Sequence, residues 1–128
     1  MLAQFEQHRW EHRLILIFAD NTSQDIYQQQ WSDLQADSTG LADRDILIYT
    51  LFPQGSPPKL DESLLIAIQK KYNPEKRPFL CILIGKDGSI KSSKTTIYHR
   101  QEIFRLIDSM PMRQAEMRSK RRRKNSSY

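Results

Sequence analysis

Two unbroken apolar runs constrain this chain most: LILIFA at Leu14–Ala19 and FLCILI at Phe79–Ile84. Each is a strand's length and far short of the roughly 20 residues that cross a bilayer. A strand without polar alternation has both faces covered by other layers. A third run, ILIYTLF at Ile46–Phe52, has the same character. The segments between these runs must supply the cover, which calls for helices on both sides of a central sheet.

Those segments read as helices. In NTSQDIYQQQWSDLQAD, Thr22 and Asp25 match the capping-box spacing, in which each side chain satisfies an orphan donor of the first turn. Tyr27, Trp31 and Leu34 fall on one helical face. Ser38, Thr39 and Gly40 should end that helix. After the loop PQGSPPK, Asp61 should cap a second helix whose buried stripe is Leu64, Leu65, Ile68 and Tyr72. Asn73-Pro74 stops it. Pro78 opens the third strand, and Lys86-Asp87-Gly88 predicts a tight hairpin, because Asp-Gly tolerates positive φ. A more polar edge strand should follow over 89–96. A last helix should start near Arg100, lined by Ile103, Leu106, Ile107 and Met110. Pro111 suits the first position of a new, differently directed turn or two. There Glu116 has helical spacing to Arg113 and Lys120.

The predicted order is β-α-β-α-β-β-α. The fold class is α/β: a thioredoxin-like three-layer α/β/α arrangement around a central four-stranded mixed sheet. Residues 1–12 read as a loose lead-in with Phe5 and Trp10 as anchors, 13–118 as the domain, and 119–128 as a basic, disordered tail. The net charge of +5 is concentrated in that tail, at Arg118, Lys120, Arg121, Arg122, Arg123 and Lys124. The body is left close to neutral, which argues against a folded basic face gripping a phosphate backbone. The opening MLAQFEQHRW lacks the basic-then-apolar pattern of a secretory leader and predicts a cytoplasmic protein. Export would require a leader upstream of Met1.

RLILIFAD, the Asp43-Arg44-Asp45 triplet, LIGKDGSIK (Leu83 to Lys91) and IFRLIDSMPMRQAEMR (Ile103 to Arg118) together resemble a bacterial family known as domain of unknown function 4174. The resemblance spans Phe5 to Arg118. The family is similar to modules of coiled-coil domain-containing protein 80, equarin and a sushi-repeat protein. It implies a thioredoxin-like fold nearest the peroxiredoxins and brings no established activity. Its members are often exported, which runs against the cytoplasmic expectation.

In a thioredoxin-like fold, chemistry would sit after the first strand, beside the proline preceding the third. That pole would gather Asp20, Asn21, Thr22, Ser23, Asp25 and Pro78, with Pro78 in the place of the fold's cis-proline. It contains no cysteine, so no thiolate is available for exchange. The chain's one cysteine, Cys81, lies inside an apolar run. A single cysteine rules out a CxxC pair within the chain, and the position of Cys81 predicts a structural residue rather than a peroxidatic one. No catalytic set, cofactor or metal site is expected. His8 and His12 have helical spacing but no third ligand beyond Glu11. His99 reads as a cap or surface residue.

The signature blocks converge elsewhere. The first two strands run upward, so Asp43, Arg44 and Asp45 lie at the lower pole. The third strand descends to Lys86, Asp87 and Gly88. The closing helix descends to Asp108, Met110, Pro111, Met112, Arg113, Gln114 and Glu116. The first reading of this cluster is structural: Arg113 or Arg44 bridges Asp45, Asp87 or nearby carbonyls, and Met110, Met112 and Met117 close the core. The second reading is a partner site. The functional expectation is a redox-silent thioredoxin-like domain that acts through interaction or scaffolding with a protein partner. One alternative is a peroxiredoxin-related oxidoreductase that works at Thr22, Asp25 and Pro78 with a partner's thiol. Another is a nucleic-acid or membrane accessory protein whose tail binds RNA, DNA or anionic lipid weakly and without sequence preference.

Overall fold

The computed structural model describes residues 7–53 and 60–126. The chain order is β1 (Arg13–Ala19), α1 (Asp25–Gln35), α2 (Ser38–Asp43), β2 (Ile46–Leu51), α3 (Glu62–Tyr72), β3 (Phe79–Ile84), β4 (Ile90–Lys94), α4 (Arg100–Asp108) and α5 (Pro111–Ser126). The sheet order is β2-β1-β3-β4. β2 runs parallel to β1, while β3 is antiparallel to both β1 and β4.

Successive side chains of a strand point to opposite faces, and β1 feeds two cores. Ile15, Ile17 and Ala19 pack with Tyr27, Leu34, Leu41, Phe104 and Ile107 beneath α1, α2 and α4. Leu14, Leu16 and Phe18 pack with Leu65, Ile68 and Tyr72 beneath α3. β3 alternates in the same way, which explains why neither run carries a polar residue. The result is a three-layer α/β/α domain.

Several local expectations differ from the structure. The capping box at Thr22 and Asp25 does not form: Gln24 is the N-cap of α1 and makes no side-chain cap bond. Asn21 Oδ1 instead accepts from the Ser23 N–H at 2.8 Å. Ser38–Gly40 do not end a helix but begin α2, where Asp37 accepts from the Gly40 N–H. Trp31 is 37% exposed, and Gln30 takes the buried position instead. Its amide donates to the Tyr98 carbonyl at 2.8 Å and accepts from the Tyr98 N–H at 2.7 Å. A glutamine can do both, and no apolar side chain can.

Two terminal expectations also change. The lead-in is docked from residue 7 onward, through Trp10 N–H to the Lys86 carbonyl at 2.6 Å and His8 Nε2 to the Tyr49 hydroxyl at 2.9 Å. The Trp10 ring is exposed and does not anchor it. The segment expected to be disordered from 119 is helical through Ser126 as part of α5. Arg and Lys are good helix formers, and Lys120 is tied to Asp43. Phe5, most of the PQGSPPK loop and the last two residues lie outside the described residues. Gly88, at φ 85, makes the predicted hairpin, closed by Gly85 N–H to the Ser89 carbonyl at 2.9 Å. Among the described residues, no helix is long and apolar enough to cross a membrane.

Candidate functional site

At the upper pole, Asp20, Thr22, Asp25 and Pro78 are all exposed. Gln24 brings the start of α1 to the start of β3: its Nε2 donates to the Pro78 carbonyl at 3.0 Å. The polar residues gathered here offer amides, hydroxyls and carboxylates, and no thiol. Cys81 sits opposite Ile17 in the middle of the sheet and is fully buried. Burial pushes its thiol up to about 12. At neutral pH it is protonated and shielded, so it has neither the charge nor the access that thiol exchange requires.

The lower pole is a network of charges built from four directions. Arg13 opens β1, is 1% exposed, and reaches Glu116 on α5 with both terminal nitrogens, at 3.1 Å each. Its Nη1 also donates to the Arg44 carbonyl at 2.8 Å. Lys86, at the end of β3, donates to Asp45 Oδ2 at 2.8 Å and to Glu116 Oε2 at 2.9 Å. Arg44 grips Asp108 at 3.1 and 2.9 Å, donates to the Gly40 carbonyl at 2.9 Å, and lies 4.0 Å from the Phe104 ring centroid. Arg113 is 3% exposed. It donates to Asp108 at 3.0 Å, to the Asp43 carbonyl at 3.0 Å and to Asp43 Oδ2 at 2.6 Å. Lys120 adds a second cation to Asp43 Oδ1 at 2.7 Å. Gln114 donates to the Asp108 carbonyl.

Backbone geometry makes this possible. Asp45 adopts φ 54, a left-handed conformation that Asp tolerates better than most residues. Its carbonyl then accepts from the Arg13 N–H at 2.8 Å while its carboxylate meets Lys86. Pro111 starts α5 at once after α4, so Asp108 and Arg113 face each other across the joint.

The electrostatics follow from the pairing. Hydrogen bonds from Lys120 and then Arg113 bring Asp43 down to about 2. For Glu116 and Asp108 burial raises the pKa, but hydrogen bonds from Arg13 and Lys86, and from Arg44 and Arg113, outweigh it and hold both below the usual range. The carboxylates stay ionised and the buried cations stay paired. The network therefore ties α5 to the start of β1, the end of β3 and the turn before β2.

Its membership departs from the sequence-based grouping. Asp87 stands apart: it accepts from Ser89 and Lys91 and shapes the hairpin together with Gly88. Arg44 pairs with Asp108, and Arg113 with Asp43 and Asp108, rather than with Asp45 or Asp87; both also donate to nearby carbonyls, those of Gly40 and Asp43. Glu116 binds Arg13 and Lys86, with Arg113 Nη1 only at 3.9 Å, and Lys120 goes to Asp43. Met110 packs against the core, whereas Met112 is exposed. Arg13 was missed, although an arginine that starts an apolar strand at an acidic pole is a readable signal.

Among the described residues, no group of three His, Cys, Asp or Glu side chains could hold a metal ion. His8 and His12 meet edge to face at 5.3 Å. His99 is the exposed N-cap of α4, 3.8 Å from Asp33. It is Asp33 on α1 that accepts from the Arg100 N–H, at 2.6 Å.

A family model described as Domain of unknown function (DUF4174) matches residues 4–116. Coiled-coil domain-containing protein 80 of Danio rerio is 30% identical over 129 residues, covering 85% of this chain and 15% of that protein. The chain thus spans a small part of that relative's length. Among solved structures, the reduced 2-Cys peroxiredoxin of Plasmodium vivax superposes with a TM-score of 0.51 at 13% identity, covering 81% of this chain and 80% of that one. Mycobacterium tuberculosis AhpC gives 0.48 at 10% identity, covering 81% and 76%. The former likeness shows a thioredoxin-like fold.

Proposed function

We propose a non-catalytic role for this chain, which belongs to the family described as Domain of unknown function (DUF4174): a redox-silent thioredoxin-like module that binds a protein partner. The placement of Cys81 carries this reading. The chain's one cysteine is buried in β3 with its thiol raised to about 12, and the pole where such folds exchange electrons has no thiol of its own. What the fold offers instead is a rigid platform. The lower-pole network holds α5 against the sheet, and the outer side of that helix exposes Met112, Gln114, Arg118, Arg121 and Arg122. Arginine with an adaptable methionine is a composition favoured in recognition surfaces.

Two measurements test the reading. Purified chain, wild type and Cys81→Ser, should reduce neither peroxide nor a disulfide above the buffer rate. Turnover that survives Cys81→Ser in the presence of an added thiol would favour the alternative enzyme at Thr22, Asp25 and Pro78. Affinity capture from native extract should yield a protein retained by wild type and lost by Arg121→Glu/Arg122→Glu.

The exposed arginines of α5 also favour a second reading, salt-dependent contact with nucleic acid or anionic lipid. Lys120 contributes little to it, being committed to Asp43; the side chain of Lys124 lies outside the described residues. Unchanged heparin retention after Arg121→Glu/Arg122→Glu would remove this reading.

A further inference from the structure

We propose that the cleft at the upper pole, between the carboxyl ends of β1 and β2 and the second half of α3, binds a small amphipathic anion. The ligand class is an apolar or aromatic body bearing one carboxylate or sulfonate group. The cleft encloses about 630 Å³, within the range of small-molecule sites. It lies where α/β sheets generally take ligands, outside the carboxyl ends of parallel strands.

The chemistry of the walls defines the occupant. Phe18 and Leu51 form an apolar floor. Ile66 on α3 faces the same space and is 48% exposed, so its side chain stays in water unless something apolar covers it. The rim opposite the strands is basic, with Lys70, Lys76 and Arg77. Arg77 is paired with Glu75 at 2.6 Å. No carboxylate among the described residues pairs with Lys70 or Lys76.

The rim is also held in an unfavourable backbone shape. Lys76 has φ 53, a region that long L side chains avoid. Asn73, itself buried, enforces it. Its amide donates to the Arg77 carbonyl at 3.1 Å and accepts from the Arg77 N–H at 3.0 Å, while the Lys76 N–H donates to the Asn73 carbonyl at 3.0 Å. Such maintained strain collects at ligand clamps. Asp20, on the strand side, sets the limit. It repels a second negative charge and accepts a hydrogen bond, so a monoanion with one donor fits best.

Anilinonaphthalene sulfonate has an aromatic body, one sulfonate and one N–H, and serves as the probe. Its neutral counterpart, phenylnaphthylamine, lacks only the sulfonate. With the full chain, Lys70→Glu/Lys76→Glu should raise the sulfonate's Kd by about tenfold or more while leaving the neutral probe within about twofold. Ile66→Asn should weaken both, and Arg121→Glu/Arg122→Glu on α5 should change neither. Independently of any variant, amide shifts on adding the sulfonate should map to Ala19, Asp20 and the stretch from Ile66 to Arg77. The proposal is overturned by shifts that map elsewhere or are absent, by lysine reversal without effect, or by equal losses from the α5 reversal.

Discussion

Arg13 and Glu116, 103 residues apart in sequence, meet through two parallel N–H···O bonds of 3.1 Å. The guanidinium fork matches the two carboxylate oxygens, which makes this the strong, directional form of an ion pair. Because Lys86 shares the same carboxylate, one side chain of α5 holds the start of β1 and the end of β3 at once.

Removing that carboxylate takes from buried Arg13 its ion-pair partner, leaving it the Arg44 carbonyl, and leaves Lys86 with Asp45 alone. Glu116→Ala should therefore cost about 2–4 kcal/mol in urea unfolding. Lys120→Ala, which breaks a pair about half exposed on both sides, should cost about 0.5 kcal/mol or less. A Glu116→Ala midpoint indistinguishable from wild type would show that the clamp contributes nothing.

The same pole should make stability fall in acid. Asp43 is lowered from 3.8 to about 2, first by the Lys120 hydrogen bond and then by that of Arg113. A carboxylate depressed in the folded state stabilises it above the unfolded pKa, and this is lost as pH falls through the folded one. The window is therefore about pH 4 down to about 2. Asp43 is partly exposed, so solvent screens the effect. Asp43→Asn should flatten that part of the stability–pH curve. Identical slopes for the two proteins would assign the acid transition to other carboxylates, such as Asp87, also lowered to about 2 by the Ser89 backbone and its other partners.

Cys81 should titrate with the opposite sign. Burial raises its thiol from 9.0 to about 12. The unfolded chain thus releases this proton first, and the stability that Cys81 contributes is lost as pH rises past about 9. In the native state at pH about 8 a thiol-specific disulfide reagent should react only as fast as the protein opens, because thiolate and access are both lacking. Stoichiometric labelling within the mixing time would contradict the buried placement.

The sheet was legible because an apolar run needs cover on both faces, and only a few arrangements provide it. The lower pole was legible in outline, since strand direction alone sends Arg44, Lys86 and Arg113 to one end. The pairing was not, because partner choice depends on side-chain reach and on the left-handed turn at Asp45, which no local pattern announces. Helix facing failed at Trp31 for a related reason: hydrophobic periodicity favours a tryptophan over a glutamine, but the backbone of Tyr98 needs a donor and an acceptor, and Gln30 supplies both. The tail read as disordered on composition, while Asp43, almost 80 residues earlier, accepts from Lys120.

Gly40 offers a test of packing at the lower pole that neither adds nor removes a charge. A Cβ built there would lie 2.8 Å from Phe104 Cε2 and 2.5 Å from Asp37 Oδ2. The Phe104 ring cannot yield freely, because it sits in the core and carries the Arg44 guanidinium on its face at 4.0 Å. Alanine would gain about 1 kcal/mol of helix propensity in α2, but overpacking costs about 1–3 kcal/mol. Disturbance of the Arg44–Asp108 pair adds to that cost. Gly40→Ala should thus be net destabilising by about 1–2 kcal/mol. Gly85→Ala is the control: its Cβ would meet chiefly the flexible end of Lys91, at 2.4 Å from Cε, which can swing away. It should shift stability by less than about 0.5 kcal/mol. If thermal melts place the two variants together, the ring of Phe104 is not the rigid floor on which Arg44 rests.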